Sequence, residues 1–179
     1  MNIGRKQAKQ KEISSGHSFL EWGMTILKMP PAKRIKMVRD GVKVTHLVGA
    51  GRYYGISQAK LSKLLGISDA TITRKIRSSG KLGPLESERL ARIALIEAEA
   101  EKVFDSSDLA KRWMLESNLA LGESPLSLLD TDMGADEVRK VLASIAYGAL
   151  PSVCLENFQK RICSGPYRIW SQHKRSTLE

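Results

Sequence analysis

Cysteine is scarce in this 179-residue chain, which has only Cys154 and Cys163. Two are too few for a disulfide framework, and no Cys/His ligand spacing stands near them. Both read as ordinary reduced thiols, and zinc is not indicated. Histidine is equally thin: His17, His46 and His173 lie far apart, each on a segment without a matching acid. That leaves no acid–base or nucleophile–base pair to nominate, so no catalytic residue is assigned and an enzyme is not expected. GAGRYYG holds glycines at 49, 51 and 55, but no strand precedes it and its spacing fails as a phosphate loop. The acids of LLDTDMGADE read as helix caps rather than metal ligands, so neither metal nor cofactor is expected. No apolar run approaches the roughly 20 residues that span a bilayer. The basic N-terminus, MNIGRKQAKQKEISSG, has no signal-peptide core either, and a cytoplasmic protein without a membrane partner is the expectation. Alternating strand patterns and internal repeats are absent too, which makes the expected fold class all-α.

Positive charge is abundant, and it is unevenly placed. Residues 1–92 carry 19 Lys and Arg against 6 Asp and Glu, a net of +13. Residues 93–157 carry 5 against 12, a net of −7, and residues 158–179 carry 5 against 1, a net of +4. A basic front half on a folded domain suits a phosphate-bearing partner, because neutralising phosphates releases counterions. Loose solubilising lysines are the plainer alternative. The acidic middle is poorly suited to nucleic acid and points to a different task.

Helical punctuation divides the chain finely. Residues 1–18 are polar, basic and without period, as expected of a flexible terminus. FLEWGMTILKM (19–29) repeats Trp22, Ile26 and Leu27 at helical spacing and ends at Pro30. Pro31 opens AKRIKMVRD, with Ile35, Met37 and Val38 as a weak apolar stripe before Gly41. VTHLVGAGRYYG reads as a further short helix. A long helix is expected from Leu85 to about Lys102, with Leu90, Ile93, Ile96, Ala100 and Val103 on its buried side. Glu97, Glu99 and Glu101 would form its solvated face. SSDLAKRWMLE carries Trp113 on a capped helix, and Ser124 with Pro125 starts a short one. The last helix runs from Thr131 or Asp132 to Tyr147, with Val138, Val141, Leu142 and Ile145 inward and Gly148 closing it.

The most informative stretch is SQAKLSKLLGISDATITRKIRSSG (57–80). Ser57 caps a first helix that buries Ala59, Leu61, Leu64 and Leu65, and Gly66 ends it in a left-handed turn. Ser68 caps a second helix whose inward residues would be Ile72 and Ile76. Two helices joined by a short glycine-containing turn make a helix–turn–helix. A groove-entering helix needs short polar residues at its start and bases able to reach phosphates beyond. Ser68, Ala70, Thr71, Thr73, Arg74 and Arg77 meet that need, and Gln58 and Lys60 are placed for backbone phosphate. A helical hairpin with a solvated basic face is the alternative, and spacing alone does not separate the two.

Further along, VFDSSDLAKRWMLESNLALGESPLSLLDTDMGADEVRKVLASIAYGALP (103–151) holds an ordered string. It runs Phe104, Ala110, Trp113–Met114, Leu121–Gly122, Pro125–Leu126, Leu129 to Thr131, Gly134–Ala135 and Tyr147–Gly148. Together with the preceding helix–turn–helix, this string resembles the antitoxins of the Xre/MbcA/ParS group, partners of RES-domain toxins. The likeness covers about Pro30 to Pro151. It implies a protein that binds and neutralises an NAD-consuming toxin, dimerises, and represses its own operon through operator DNA. It also implies that the end of the last helix, Tyr147, Gly148, Leu150 and Pro151, lies at the toxin interface. Met114 replaces an expected leucine of similar volume. The chain also continues past the usual end, with Phe158, Tyr167 and Trp170 interleaved among bases; filling a toxin's NAD pocket, contacting DNA and having no role all stay open for that tail.

The expected organisation is a flexible basic segment over 1–18 and a helix–turn–helix domain over 19–83. A helical toxin-binding and dimerisation domain over 84–151 and a basic extension over 152–179 follow. The competing reading is a stand-alone transcriptional repressor whose second half only dimerises.

Overall fold

The computed structural model describes residues 19–147. The expectations for residues 1–18, Gly148, Leu150, Pro151 and the tail lie outside the described residues. Described helices are α1 (residues 19–28), α2 (Pro31–Asp40), α3 (Val44–Tyr54), α4 (Gln58–Leu65) and α5 (Asp69–Arg77). They continue as α6 (Pro84–Phe104), α7 (Ser107–Leu115), α8 (Pro125–Leu128) and α9 (Asp132–Tyr147). The fold is all-α, and no strand occurs among the described residues; the nearest thing is a single antiparallel bridge between Lys43 and Lys81. The chain divides between Leu142 and Ala143 into two compact units, and Ala143–Tyr147 is the described part of the second.

Local chemistry sets most boundaries. Pro31, Pro84 and Pro125 occupy first helical positions, where a missing N–H costs nothing. Ser57, Ser68 and Ser106 each accept a hydrogen bond from the backbone N–H three residues on. Such contacts need only neighbours in sequence.

Packing centres on α6, against which α2, α4 and α7 lie. Leu90, Ile93, Ile96 and Ala100 are buried on one side of it, and Ala91, Ala94 and Ala98 are buried on the other. Those alanines let neighbouring helices come close. Gly23 of α1 lies against α6: a Cβ there would collide with the Ala94 carbonyl oxygen.

A helix enclosed this way has no fully solvated face, and the expectation for its glutamates is corrected accordingly. Glu97 is wholly buried, while Glu99 and Glu101 are half-buried. The Tyr53 hydroxyl donates to Glu97 Oε1 at 2.7 Å and the Tyr54 hydroxyl to Oε2 at 2.5 Å. Burial pushes the Glu97 carboxyl up to about 7, although both hydroxyl donors pull it down. Both tyrosines are raised, first by burial and then by the Glu97 charge. Tyr53 also lies 3.4 Å from the Ser107 carbonyl, and the Lys111 ammonium stands 5.5 Å from its ring centre.

Smaller corrections share a cause, since periodicity gives a helix's apolar side but not how far its neighbours extend. Ala59 and Ile76 are exposed rather than buried. Ile76 lines a recess with Phe19, Val44 and Val48. Trp22 and Leu27 are half-buried, whereas Phe19, Gly23 and Ile26 face the core. In α9, Ala135, Val138 and Leu142 are buried, and Val141 and Ile145 only partly. In α2 nothing is buried, and Ile35 is half exposed.

Candidate nucleic-acid interface

The turn between α4 and α5 is built by hydrogen bonds that glycine permits. Gly66 sits at φ 65 and ψ 34, its N–H donates to the Lys63 carbonyl at 3.2 Å, and Ile67 N–H donates to Ser62 at 3.0 Å. This nested pair closes α4 and turns the chain toward α5. Arg89, from α6, then covers the turn: its Nη1 donates to the Leu65 carbonyl at 2.8 Å. A Cβ on residue 66 would run into that same Nη1. Across the turn, Gln58 Nε2 donates to Thr73 Oγ1 at 3.1 Å and to the Asp69 carbonyl at 3.2 Å. The two helices are therefore locked by side chains as well as by Leu61, Leu64, Leu65 and Ile72 beneath.

Gln58, Lys60, Ser68, Ala70, Thr73, Arg74 and Arg77 are exposed, and Thr71 is half-buried. Ser68 and Thr71 share a hydroxyl–hydroxyl hydrogen bond of 3.0 Å at the start of α5. Gln58 thus has a partner inside the motif, which the sequence did not reveal.

Among the described residues the cations on this side form no ion pair. Residues 19–83 hold 13 Lys and Arg against 3 acids. The six ion pairs found among the described residues all lie between Glu88 and Lys140. Such a surface gathers solvent anions, which an incoming polyanion would displace.

The second half is organised differently. Phe104 and Trp113 pack at 5.7 Å between ring centres, and Trp113, Met114, Leu126, Leu129 and Leu142 are buried. Arg92 ties this part to α6: its guanidinium meets Glu88 at 2.7 Å, Asp132 at 2.6 Å and the Leu129 carbonyl at 3.3 Å. That side chain joins the α8–α9 corner to α6, although the sequence placed it on the helix only as a charge. Gly134 lies so close to the Leu128 carbonyl that a Cβ would strike it. Leu119 and Met133 are exposed apolar residues, and Tyr147 is 86% exposed at the end of α9. Among the described residues no cluster of His, Cys, Asp or Glu could hold a metal ion, and no helix is long and apolar enough to cross a membrane.

Residues 33–95 match the family model described as the antitoxin Xre-like helix-turn-helix domain. Residues 99–148 match the antitoxin Xre/MbcA/ParS C-terminal toxin-binding domain. Antitoxin Xre of Yersinia enterocolitica is 30% identical over 124 residues, 66% of this chain and 84% of that protein. This chain belongs to the Xre antitoxin family. Antitoxin Xre of Pseudomonas putida is also similar, at 30% over 62% of this chain and 69% of its own length. The Prs ADP-ribosylating antitoxin of a Sphingobium species is 26% identical over 69% and 84% of the two chains. In this Xre antitoxin the first match ends and the second begins inside α6, which runs unbroken through both.

Proposed function

We propose that this chain neutralises a RES-type, NAD-consuming toxin by direct binding and represses its own operon through the helix–turn–helix. Residues 19–83 serve DNA and residues 84–151 serve the toxin and dimerisation, in the cytoplasm and without a cofactor or catalysis of the chain's own. The observation that carries this reading is the division of charge: an excess of cations over residues 19–83 with no ion pair among the described residues, and an acidic second half with all six of the ion pairs found lying between Glu88 and Lys140. Ser68, Ala70, Thr71, Thr73, Arg74 and Arg77 read the major groove and its rims, and Gln58 and Lys60 hold backbone phosphate. In a two-fold homodimer, two copies of α5 meet a palindrome with half-sites about one helical turn apart.

Tyr147, with Gly148, Leu150 and Pro151, forms part of the toxin contact; an 86% exposed tyrosine at a helix end supports this, tyrosine being a side chain that interfaces favour. A relative named for Prs ADP-ribosylation supports a toxin that draws on NAD, the ADP-ribosyl donor. The test is growth of bacteria expressing the adjacent reading frame with and without this chain, with cellular NAD followed alongside. Arrest and NAD loss that this chain reverses are expected. A harmless neighbour with nothing to rescue would instead favour a stand-alone repressor whose second half only dimerises.

A further inference from the structure

We infer that Lys43, Lys75 and Lys81 form a second phosphate-backbone contact for DNA, at the end of α5 opposite its base-reading start. This rests on the DNA-binding reading above and extends it from Lys75, in the last turn of α5, to Lys43 and Lys81 outside the helix–turn–helix. Lys43 and Lys81 face each other across the antiparallel bridge. Val44 N–H donates to the Gly80 carbonyl at 3.0 Å and Leu82 N–H to Val42 at 2.8 Å. That pattern makes Lys43 and Lys81 a non-hydrogen-bonded pair, the kind in which opposed side chains lie closest and on one face. Like charges so placed repel and destabilise the pairing.

Among the described residues no carboxylate is paired with either ammonium to cancel that repulsion. Both lysines are exposed, and neither they nor Lys75 have an ion-pair partner among the described residues. Lys81 Nζ donates to the Asp40 carbonyl at 3.1 Å and Lys75 Nζ to the Lys81 carbonyl at 2.6 Å, neutral acceptors that position the ammonium groups without cancelling them. The charge of Lys43 reaches the His46 ring, whose pKa it lowers second to burial. An anion over the bridge would turn the repulsion into attraction.

The position favours the DNA backbone as that anion. Helix α5 has nine residues, so it is about 13 Å long, and the major groove is about 12 Å wide. With Ser68 and Thr71 at base edges, the last turn of α5 reaches the strand bounding the groove. The chain is held firmly there: Ser78 N–H donates to Arg74, Ser79 N–H to Ile76 and Gly80 N–H to Lys75, at 3.1, 3.1 and 2.9 Å. A contact already ordered before binding loses little entropy on forming.

The experiment measures binding of two labelled duplexes across a salt series, one carrying the DNA upstream of the chain's own gene and one of unrelated sequence. Wild type is compared with Lys43→Gln/Lys81→Gln. Two lost phosphate contacts should flatten the log–log salt slope by about 1.8, so that wild type loses about tenfold more affinity than the variant between 50 and 200 mM salt. The loss should be equal on both duplexes, leaving the preference for one over the other intact. An unchanged slope, or a loss confined to the upstream duplex, overturns the inference. Wild type binding neither duplex overturns the DNA-binding reading itself. Lys43→Gln alone should melt no lower than wild type, because a repulsion has been removed; a clear drop would make the lysine structural and defeat the inference.

Discussion

Replacing Glu97 with glutamine should remove most of the pH dependence of stability that this chain shows between pH 4.5 and 7. The carboxyl is held at about 7 in the folded chain, against an ordinary 4.5 when unfolded. Across that window the folded state keeps a proton that the unfolded state has released, so stability falls as pH rises and levels off above 7. The full difference is about 3 kcal/mol, a large share of the 5–15 kcal/mol typical of a domain. Glutamine can keep the local bonding. Its carbonyl accepts from Tyr54, and its amide donates to Tyr53, whose own hydroxyl turns to the Ser107 carbonyl 3.4 Å away. Urea unfolding followed by helical circular dichroism, at steps from pH 5 to pH 8.5, gives the comparison. The stability gap between glutamine variant and wild type should widen in the variant's favour by about 2–3 kcal/mol over that range. A gap that stays constant with pH would refute the reasoning, since Glu97 would then be ionised in both states or neutral in both.

Other perturbations follow from named contacts. Arg92→Met strips the α8–α9 corner of its bonds to Asp132 and the Leu129 carbonyl. Because Glu88 and Asp132 can regain water, the cost should be about 1–3 kcal/mol, read as a lower urea midpoint, and an unchanged midpoint would contradict it. Gly23→Ala sets a Cβ against the Ala94 carbonyl oxygen, a backbone atom that has no rotamer to give way. It should destabilise by about 1–3 kcal/mol despite alanine's better helix propensity, and any gain in melting temperature would show that α1 can simply move away.

The helices and their ends were legible because their causes are local. Ser57, Ser68 and Ser106 cap, Pro31, Pro84 and Pro125 open, and Gly66 turns, each through bonds to residues a few places away. The surface around α5 was legible for the same reason, since its residues share one short segment. What sequence spacing could not give was enclosure. Glu97 looks like one of three solvated glutamates until α1, α3 and α7 surround α6, and only then do Tyr53 and Tyr54 become its partners. Ala91, Ala94 and Ala98, on the side of α6 away from Ile96 and Ala100, were the available sign that a second side would also be covered. Ile76 erred the other way: four residues after Ile72 it should be buried, yet the space beside it is left as a recess. Arg89 and Arg92 act through carbonyl oxygens of residues 24 and 37 places away, a signal no helical period carries.

The central claim is that DNA and toxin are held by separate surfaces, and Arg74→Ala/Arg77→Ala tests it most directly. Both side chains are exposed on α5 and neither is an ion-pair or hydrogen-bond partner of the core. The measurement is made in one strain co-expressing the adjacent reading frame, with duplex binding assayed on the purified chain. Loss of duplex binding with growth rescue fully kept is the predicted result. Loss of rescue as well, in a variant whose helical spectrum and melting curve match wild type, would contradict the account.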